Sequence, residues 1–110
     1  MALRFGAVIG TVPEKLETYK ALHADETHWV RDLLKKYNYH NYSIFITRMD
    51  DGKEYLFGYY EYTGDDYERD TAALMAEPKY AEWLSWTDPC QIPLKGEKSW
   101  KAMEPVFYME

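Results

Sequence analysis

The sequence predicts an α+β fold, and three patterns lead to that prediction. Residues 39–49 and 54–62 are rich in β-branched and aromatic side chains and flank a short turn, which predicts an antiparallel hairpin. Further strands are predicted at 4–12 and 100–109, and the stretches between show the apolar spacing of amphipathic helices. The order strand, helix, strand, strand, helix, strand is the ferredoxin-like split βαβ arrangement, an antiparallel sheet with helices on one face.

The first helix is predicted to run without a break over residues 16–36. Pro13 precedes it and suits a first helical turn, where no N–H donor is needed. Acidic residues stand near its start and lysines near its end, as the helix dipole favours. Its apolar face contains Leu16, Tyr19, His23, Thr27, Val30, Leu34 and Tyr37.

Turn and cap residues predict the remaining boundaries. Gly52 can adopt the positive φ that the hairpin turn needs, and Asp65 or Asp66 can cap a helix that runs to about residue 76. Pro78 begins a second helical segment, which Thr87-Asp88-Pro89 ends.

The last part of the chain is predicted to be less regular. Residues 89–96 contain two prolines and no periodicity, which predicts a loop. The final strand, 100–109, is weakened by Pro105, which has no N–H to donate.

Composition narrows the class of protein. A chain of 110 residues is the length of one domain, so residues 1–110 are predicted to form a single one. Eleven Tyr, four Trp and four Phe suit a sugar-sized ligand or a subunit interface. The net charge of −6 and the absence of a basic stripe argue against nucleic acid as a partner.

We expect a cytoplasmic protein without a membrane segment. No apolar run approaches the length that spans a bilayer, and the first residues do not resemble a signal peptide. Cys90 is the only cysteine, which leaves no intrachain disulfide and fits a reducing compartment.

The second hairpin strand predicts a homodimer. Its residues alternate Tyr55, Phe57 and Tyr59 with Leu56, Gly58 and Tyr60, so both faces are apolar. Helices can cover only one of them, and in a chain this short the usual cover for the other is a second copy.

The candidate catalytic residues are Tyr19 and His23. Four residues apart on a helix, they lie one turn apart on the same face. Imidazole can give or take a proton near neutral pH, and the phenol could share a ligand hydroxyl with it. The alternative is a core histidine that is hydrogen-bonded to a neighbour.

Other site chemistry is not predicted. His23 and His28 would stand about 140° apart around a helix, which does not suit a zinc pair, and Glu26 does not rescue the geometry. His40 stands alone in a strand, and Cys90 is predicted to be a small core residue rather than a nucleophile. No glycine-rich loop follows a strand, so we predict neither a metal nor a nucleotide cofactor.

Phenols, an imidazole and indoles together can bind a polyol and move protons between its oxygens. Opening of an aldose ring needs a base at the anomeric hydroxyl and an acid at the ring oxygen, which a His and Tyr pair could supply. The alternative for the tryptophans is packing in the core or at a dimer interface.

Several motifs together resemble the L-rhamnose mutarotase family. They cover nearly the whole chain in the family's order: Tyr19-x3-His23, His40-Asn41-Tyr42, Leu56-Phe57-Gly58 with Glu61, Trp83 before Thr87-Asp88-Pro89-Cys90-Gln91, and Met103-Glu104-Pro105-Val106-Phe107. The resemblance implies a homodimeric α+β barrel that interconverts the α and β anomers of L-rhamnose in the cytoplasm without a cofactor.

The resemblance also implies roles for particular residues. The proton-transferring histidine of the family falls on His23, and its sugar-contacting tyrosines fall on Tyr19 and Tyr42. The first of two adjacent tryptophans falls on Trp83, and Asn41 is a further candidate for contact with the sugar.

Two departures from the family pattern leave the identity of the sugar substrate undecided. Thr27 and His28 replace a Trp-Pro pair, and Leu84 replaces the second tryptophan, a space that Trp86 could refill as a substrate contact. L-fucose or another aldose therefore remains an alternative to L-rhamnose. The alternative function is that of a dimeric barrel that resembles a monooxygenase or binds a small ligand without catalysis.

Overall fold

The computed structural model describes residues 2–110. Its strands and helices follow in the order β1 (Leu3–Thr11), α1 (Leu16–Ala24), α2 (Val30–Lys36), β2 (Tyr39–Arg48), β3 (Glu54–Tyr62), α3 (Tyr67–Ala76), α4 (Pro78–Thr87), β4 (Gln91–Ile92) and β5 (Lys101–Met103). Single 3₁₀ turns at Pro13–Lys15 and Asp88–Cys90 precede α1 and β4. The predicted domain range 1–110 includes Met1, which lies outside the described residues, and that range stays a prediction.

All strand pairs in the sheet are antiparallel, in the order β2-β3-β1-β4. β4 pairs with Gly10 and Thr11, and β5 pairs with β1 from Gly6 to Val8. The two short strands therefore follow one another along the same edge of β1. The α+β class and the predicted split βαβ order are confirmed.

The helices cover one face of the sheet. Phe5 lies opposite Tyr60 and Ile9 opposite Leu56 on the face that the helices pack against. Two buried clusters form there, Ile9, Tyr19, Leu56 and Cys90 in one and Tyr39, Tyr62 and Leu74 in the other. The opposite face carries a row formed by Val8, Phe57 and Phe45. Because side chains alternate along a strand, the two faces are separate surfaces.

The prediction of one continuous helix over 16–36 was wrong. The Asp25 carboxylate accepts hydrogen bonds from the backbone N–H of Thr27 at 2.9 Å and from its hydroxyl at 2.6 Å. An Asp side chain that bonds to nearby backbone competes with the helical hydrogen bonds. The Arg31 guanidinium donates hydrogen bonds to the carbonyl oxygens of His23 and Asp25, at 2.8 and 3.1 Å. These carbonyls lie at the C-terminal end of α1, where no further helical N–H is present to bond them. His23 and His28 therefore do not share a helix.

The segment after α4 is more regular than predicted, and the C-terminal segment is less so. Within the predicted loop 89–96, Val12 donates its N–H to the Cys90 carbonyl at 2.9 Å, which leads into β4. The predicted strand 100–109 ends at Met103. Val106 and Phe107 beyond it are 90% and 84% exposed.

The structure confirms the predicted turn at Gly52 and decides which of the two candidate aspartates caps α3. Gly52 has φ +81° in the hairpin turn. Asp66, not Asp65, caps α3 by accepting the Arg69 N–H at 3.0 Å. Asp65 instead accepts from the Arg69 guanidinium at 3.0 Å.

A buried carboxylate fastens α3 to the sheet. Asp70 accepts hydrogen bonds from the hydroxyl of Tyr62 at 2.6 Å and from the side-chain amide of Asn38 at 3.0 Å. These bonds, that of Tyr62 first, hold the pKa of Asp70 below its usual value. The beginning of β2, the end of β3 and α3 are thereby joined at one carboxylate.

Candidate active site

A cavity of about 760 Å³ lies between the helices and the sheet face that they cover. Four of the predicted site residues line it together: Tyr19, His23, Tyr42 and Trp83. They come from α1, β2 and α4, so the tertiary fold brings them to one place. The volume is within the usual range of small-ligand sites.

His23 is held in one tautomer by the backbone. Its Nδ1 lies 2.8 Å from the carbonyl oxygen of Tyr19. Because a carbonyl can only accept, Nδ1 carries the proton and Nε2 is left as an unprotonated acceptor. Burial lowers the pKa of His23 below 6.5, with a smaller contribution from the positive charge of Arg31, while the bond to the Tyr19 carbonyl opposes the shift. The imidazole is therefore neutral at neutral pH.

The phenol of Tyr19 is a buried hydrogen-bond donor. The residue is 4% exposed, and its ring centroid lies 4.1 Å from that of His23. Gln91 donates its Nε2–H to the phenol oxygen at 3.3 Å, which leaves the phenol proton free for another acceptor. Burial raises the pKa of Tyr19 to about 12, although the bond from Gln91 lowers it. The phenol stays protonated over the physiological range.

Tyr42 reaches the cavity because β2 contains a bulge. The register with β3 shifts between His40 and Ser43, and Asn41 adopts φ +50° within the shift. Tyr42 consequently stacks on Tyr60, at 5.0 Å between centroids, on the face that the helices cover. Without the extra residue, strand alternation would point Tyr42 to the opposite face.

Asn41 itself does not line the cavity. It is exposed, and its side-chain amide donates to a carboxylate oxygen of Glu61 at 3.2 Å. Asn tolerates a positive φ better than most residues. In the structure it is the bulge residue that turns Tyr42, and its predicted contact with the sugar stays a prediction.

The second predicted tryptophan lies behind the first. Trp83 is 6% exposed, lines the cavity and meets His23 edge to face at 5.2 Å. Trp86 does not line the cavity and packs against His28 at 5.4 Å and Trp29 at 5.4 Å. The space left by Leu84, which does line the cavity, is thus not refilled by Trp86.

Sequence reasoning missed several residues of the cavity wall. Asp88 and Gln91 stood within a motif that the sequence showed, but no chemistry was assigned to them. Further charged and aromatic residues of the wall to which no role was assigned include Lys20, Arg31, Tyr80, Lys98 and Trp100. Burial raises the pKa of Tyr80, as does the nearby negative charge of Asp88, whose own pKa burial also raises.

Trp100 forms part of the wall because Gly58 leaves room for it. A Cβ at Gly58 would lie 3.1 Å from Cζ3 of Trp100, closer than most real contacts. The glycine of the Leu56-Phe57-Gly58 motif therefore has a packing reason, which only the structure reveals.

Residues 2–110 contain neither a metal-ligand cluster nor a helix suited to a membrane. In this part of the chain, no three His, Cys, Asp or Glu side chains are grouped as metal ligands would be. Nor does any helix there have both the length and the apolar character that a bilayer crossing needs.

A neutral imidazole and a protonated phenol lie on the wall of one aromatic-lined cavity, and such groups can accept and donate a proton. The family model described as L-rhamnose mutarotase matches residues 4–109, and the chain belongs to that family. It is a sugar mutarotase, an isomerase that interconverts the α and β anomers of a free aldose.

Solved structures agree with the fold. The L-rhamnose mutarotase FA22100 from Formosa agariphila has a TM-score of 0.72 at 22% identity, with 98% of this chain and 99% of that chain covered. A conserved protein from Methanosarcina mazei Go1 scores 0.61 at 16% identity, with 94% and 89% covered. A putative antibiotic biosynthesis monooxygenase from Nitrosomonas europaea scores 0.57 at 15% identity, with 97% and 100% covered.

At these identities the similarity extends to the fold alone, including that to the monooxygenase. Among curated proteins, no significant match to the sequence is found.

Proposed function

We propose that the chain interconverts the anomers of L-rhamnose or a related free aldose, with His23 and Tyr19 as the proton-transferring pair. One observation carries the proposal: an imidazole with an unprotonated Nε2 lines the same cavity as a protonated phenol, Tyr42 and Trp83. Base and acid are thus available to one ligand at neutral pH.

The reaction needs two proton transfers. On opening, Nε2 of His23 takes the proton of the anomeric hydroxyl, and the Tyr19 phenol gives its proton to the ring oxygen as the bond from the anomeric carbon to that oxygen breaks. The product is the open-chain aldehyde. Rotation about the bond between the first two carbons presents the other carbonyl face. Closure then reverses both transfers, which returns both protein groups to their starting state.

The remaining predicted residues supply binding. Trp83 offers an indole surface against which the apolar face of a sugar ring can pack, and Tyr42 offers a hydroxyl to hydrogen-bond it. Tyr42 and Trp83 line the same cavity as His23 and Tyr19, but neither is part of the proton-transferring pair.

The decisive experiment is the His23→Ala variant, assayed by saturation-transfer NMR of L-rhamnose. We expect the exchange between anomers to fall to the rate of the solvent reaction while the circular dichroism spectrum is unchanged. His40→Ala is the matched control, because His40 does not line the cavity. Unchanged exchange in His23→Ala would remove His23 from the mechanism.

We also propose that the protein is a homodimer whose subunits pack through the sheet face that carries no helices. Phe45 on that face is 67% exposed, and Met103 at its edge is also exposed. The guanidinium carbon of Arg4 lies 3.4 Å from the centroid of the Tyr108 ring, which keeps the apolar C-terminal segment beside this face. A second copy buries both apolar surfaces at once, and the same patch serves both subunits.

The proposed location is the cytoplasm. The only cysteine, Cys90, is buried and has no partner for a disulfide within the chain. Fractionation of cells that express the protein tests this, and recovery in a secreted fraction would contradict it.

A further inference from the structure

The cavity wall is positively charged although the protein is acidic. Three of its side chains are cations, Lys20, Arg31 and Lys98, and one is a carboxylate, Asp88. The chain as a whole has a net charge of −6. The three cations are exposed and come from α1, α2 and the segment between β4 and β5, so three separate elements contribute positive charge to the solvent-exposed part of the wall.

Within residues 2–110, none of the three cations forms an ion pair. Arg31 directs its donors to the backbone carbonyls of His23 and Asp25, which are neutral acceptors. The Asp25 carboxylate is bonded to Thr27 and lies 3.6 Å from His28. The positive charge at the opening is therefore available to a ligand.

We propose that the preferred substrate is a free aldose with an anionic group remote from the anomeric carbon, of which a hexuronate is the simplest. This inference rests on the proposed mutarotase function. Lys20 stands one helical turn before His23, which places a flexible ammonium group on the same side of α1 as the catalytic imidazole. With the anomeric end at His23, an acidic group at the other end of the sugar meets Lys20 and Lys98. Lysine binds carboxylate and phosphate alike as a compact charge.

The first test compares D-galacturonate with D-galactose, which differ only in whether carbon six is a carboxylate or a hydroxymethyl group. We expect kcat/KM for anomer exchange to be at least about ten-fold higher for the uronate at low salt, with the ratio falling as salt is added. D-galactose 6-phosphate, assayed beside them, tells whether the site prefers a phosphate to a carboxylate, and faster exchange of either anion supports the inference.

L-Rhamnose separates the two proposals. Catalysed exchange of L-rhamnose together with equal kcat/KM for galactose and both of its anionic derivatives overturns the charge inference and leaves the mutarotase function intact. The absence of catalysed exchange with every sugar overturns both.

Substitutions test the residues directly. In the Lys20→Gln, Lys98→Gln double variant, we expect the ratio of kcat/KM for galacturonate to that for galactose to fall toward one. Lys95→Gln is the matched control, because Lys95 lies in the same exposed segment outside the cavity wall. An undiminished ratio in the double variant, with a folded protein by circular dichroism, would overturn the inference.

Discussion

His23 donates a hydrogen bond to the backbone carbonyl of Tyr19 at 2.8 Å, while the centroids of their two rings lie 4.1 Å apart. The imidazole is therefore tied to the main chain of its neighbour and not to the phenol. Both interpretations of the sequence apply in part, because His23 is bonded to a neighbour and also lines a cavity. The arrangement leaves Nε2 of His23 and the phenol proton of Tyr19 available to hydrogen-bond a ligand.

The pH dependence of catalysis should show a single rise. The mechanism needs neutral His23, whose pKa lies below 6.5, so kcat/KM should increase with pH and reach its plateau by about neutral pH. Since the pKa of Tyr19 is raised to about 12, no descending limb should follow below about pH 10. Exchange rates corrected for the solvent reaction provide the measurement. A descending limb near neutral pH would contradict the assignment.

Gln91→Leu should lower kcat. The bond from Gln91 lowers the pKa of Tyr19, so its loss makes the phenol a weaker acid. A single hydrogen bond contributes about 0.5–1.5 kcal/mol, which corresponds to a decrease of about two- to ten-fold. Unchanged kcat would mean that Tyr19 only orients the sugar. A rise in KM alone would assign Gln91 to binding.

Tyr42→Phe should raise KM and leave kcat close to that of the parent protein. The substitution keeps the ring that stacks on Tyr60 and removes only the hydroxyl, at an expected cost of about two- to ten-fold in KM. Tyr55→Phe, outside the cavity wall, provides the control. If Tyr42→Phe binds sugar as well as the parent protein does, the position of the sugar in the cavity is wrong.

Phe45→Glu should convert a dimer to a monomer. A charge at Phe45, the exposed outer end of the apolar row, would lose its hydration on association without gaining a partner. Ala81→Glu introduces the same charge on the exposed side of α4 and should leave the dimer intact. Size-exclusion chromatography with light scattering measures both. A monomeric parent protein, or a dimeric Phe45→Glu variant, would refute the proposed interface.

Asp70 should make stability depend on pH in the acid range. Its folded pKa is depressed by hydrogen bonds from Tyr62 and Asn38, so the unfolded chain takes up this proton at a higher pH than the folded one. The stabilisation is present above the ordinary carboxyl pKa and is lost as pH falls through the folded value. Urea unfolding of the parent and Asp70→Asn proteins at several acidic pH values should show a steeper decline in the parent. Parallel declines would contradict this.

Local features of the fold were predictable because they depend on near neighbours in sequence. The hairpin of β2 and β3 follows from two β-prone runs around Gly52, and the proximity of Tyr19 to His23 follows from the helical repeat. The break in the first helix was missed because an apolar repeat does not reveal that Asp25 will bond to Thr27.

The cavity as a whole was not predictable from local patterns. Tyr80, Trp100 and Lys98 are distant in sequence from His23, and no spacing connects them to it. Nor did the sequence show that a bulge at Asn41 would turn Tyr42 toward the helices.

By itself, the sequence determined the α+β class, the hairpin, the family and the placement of Tyr19 one turn from His23, because periodicity and motif spacing depend on residues close together in the chain. Only the tertiary structure decided which atoms of His23 and Tyr19 remain available to a ligand. It also decided which aromatic rings and which charged side chains line the cavity beside them. Those features arise where segments far apart in the chain pack together, and there each position is set by all of its neighbours at once.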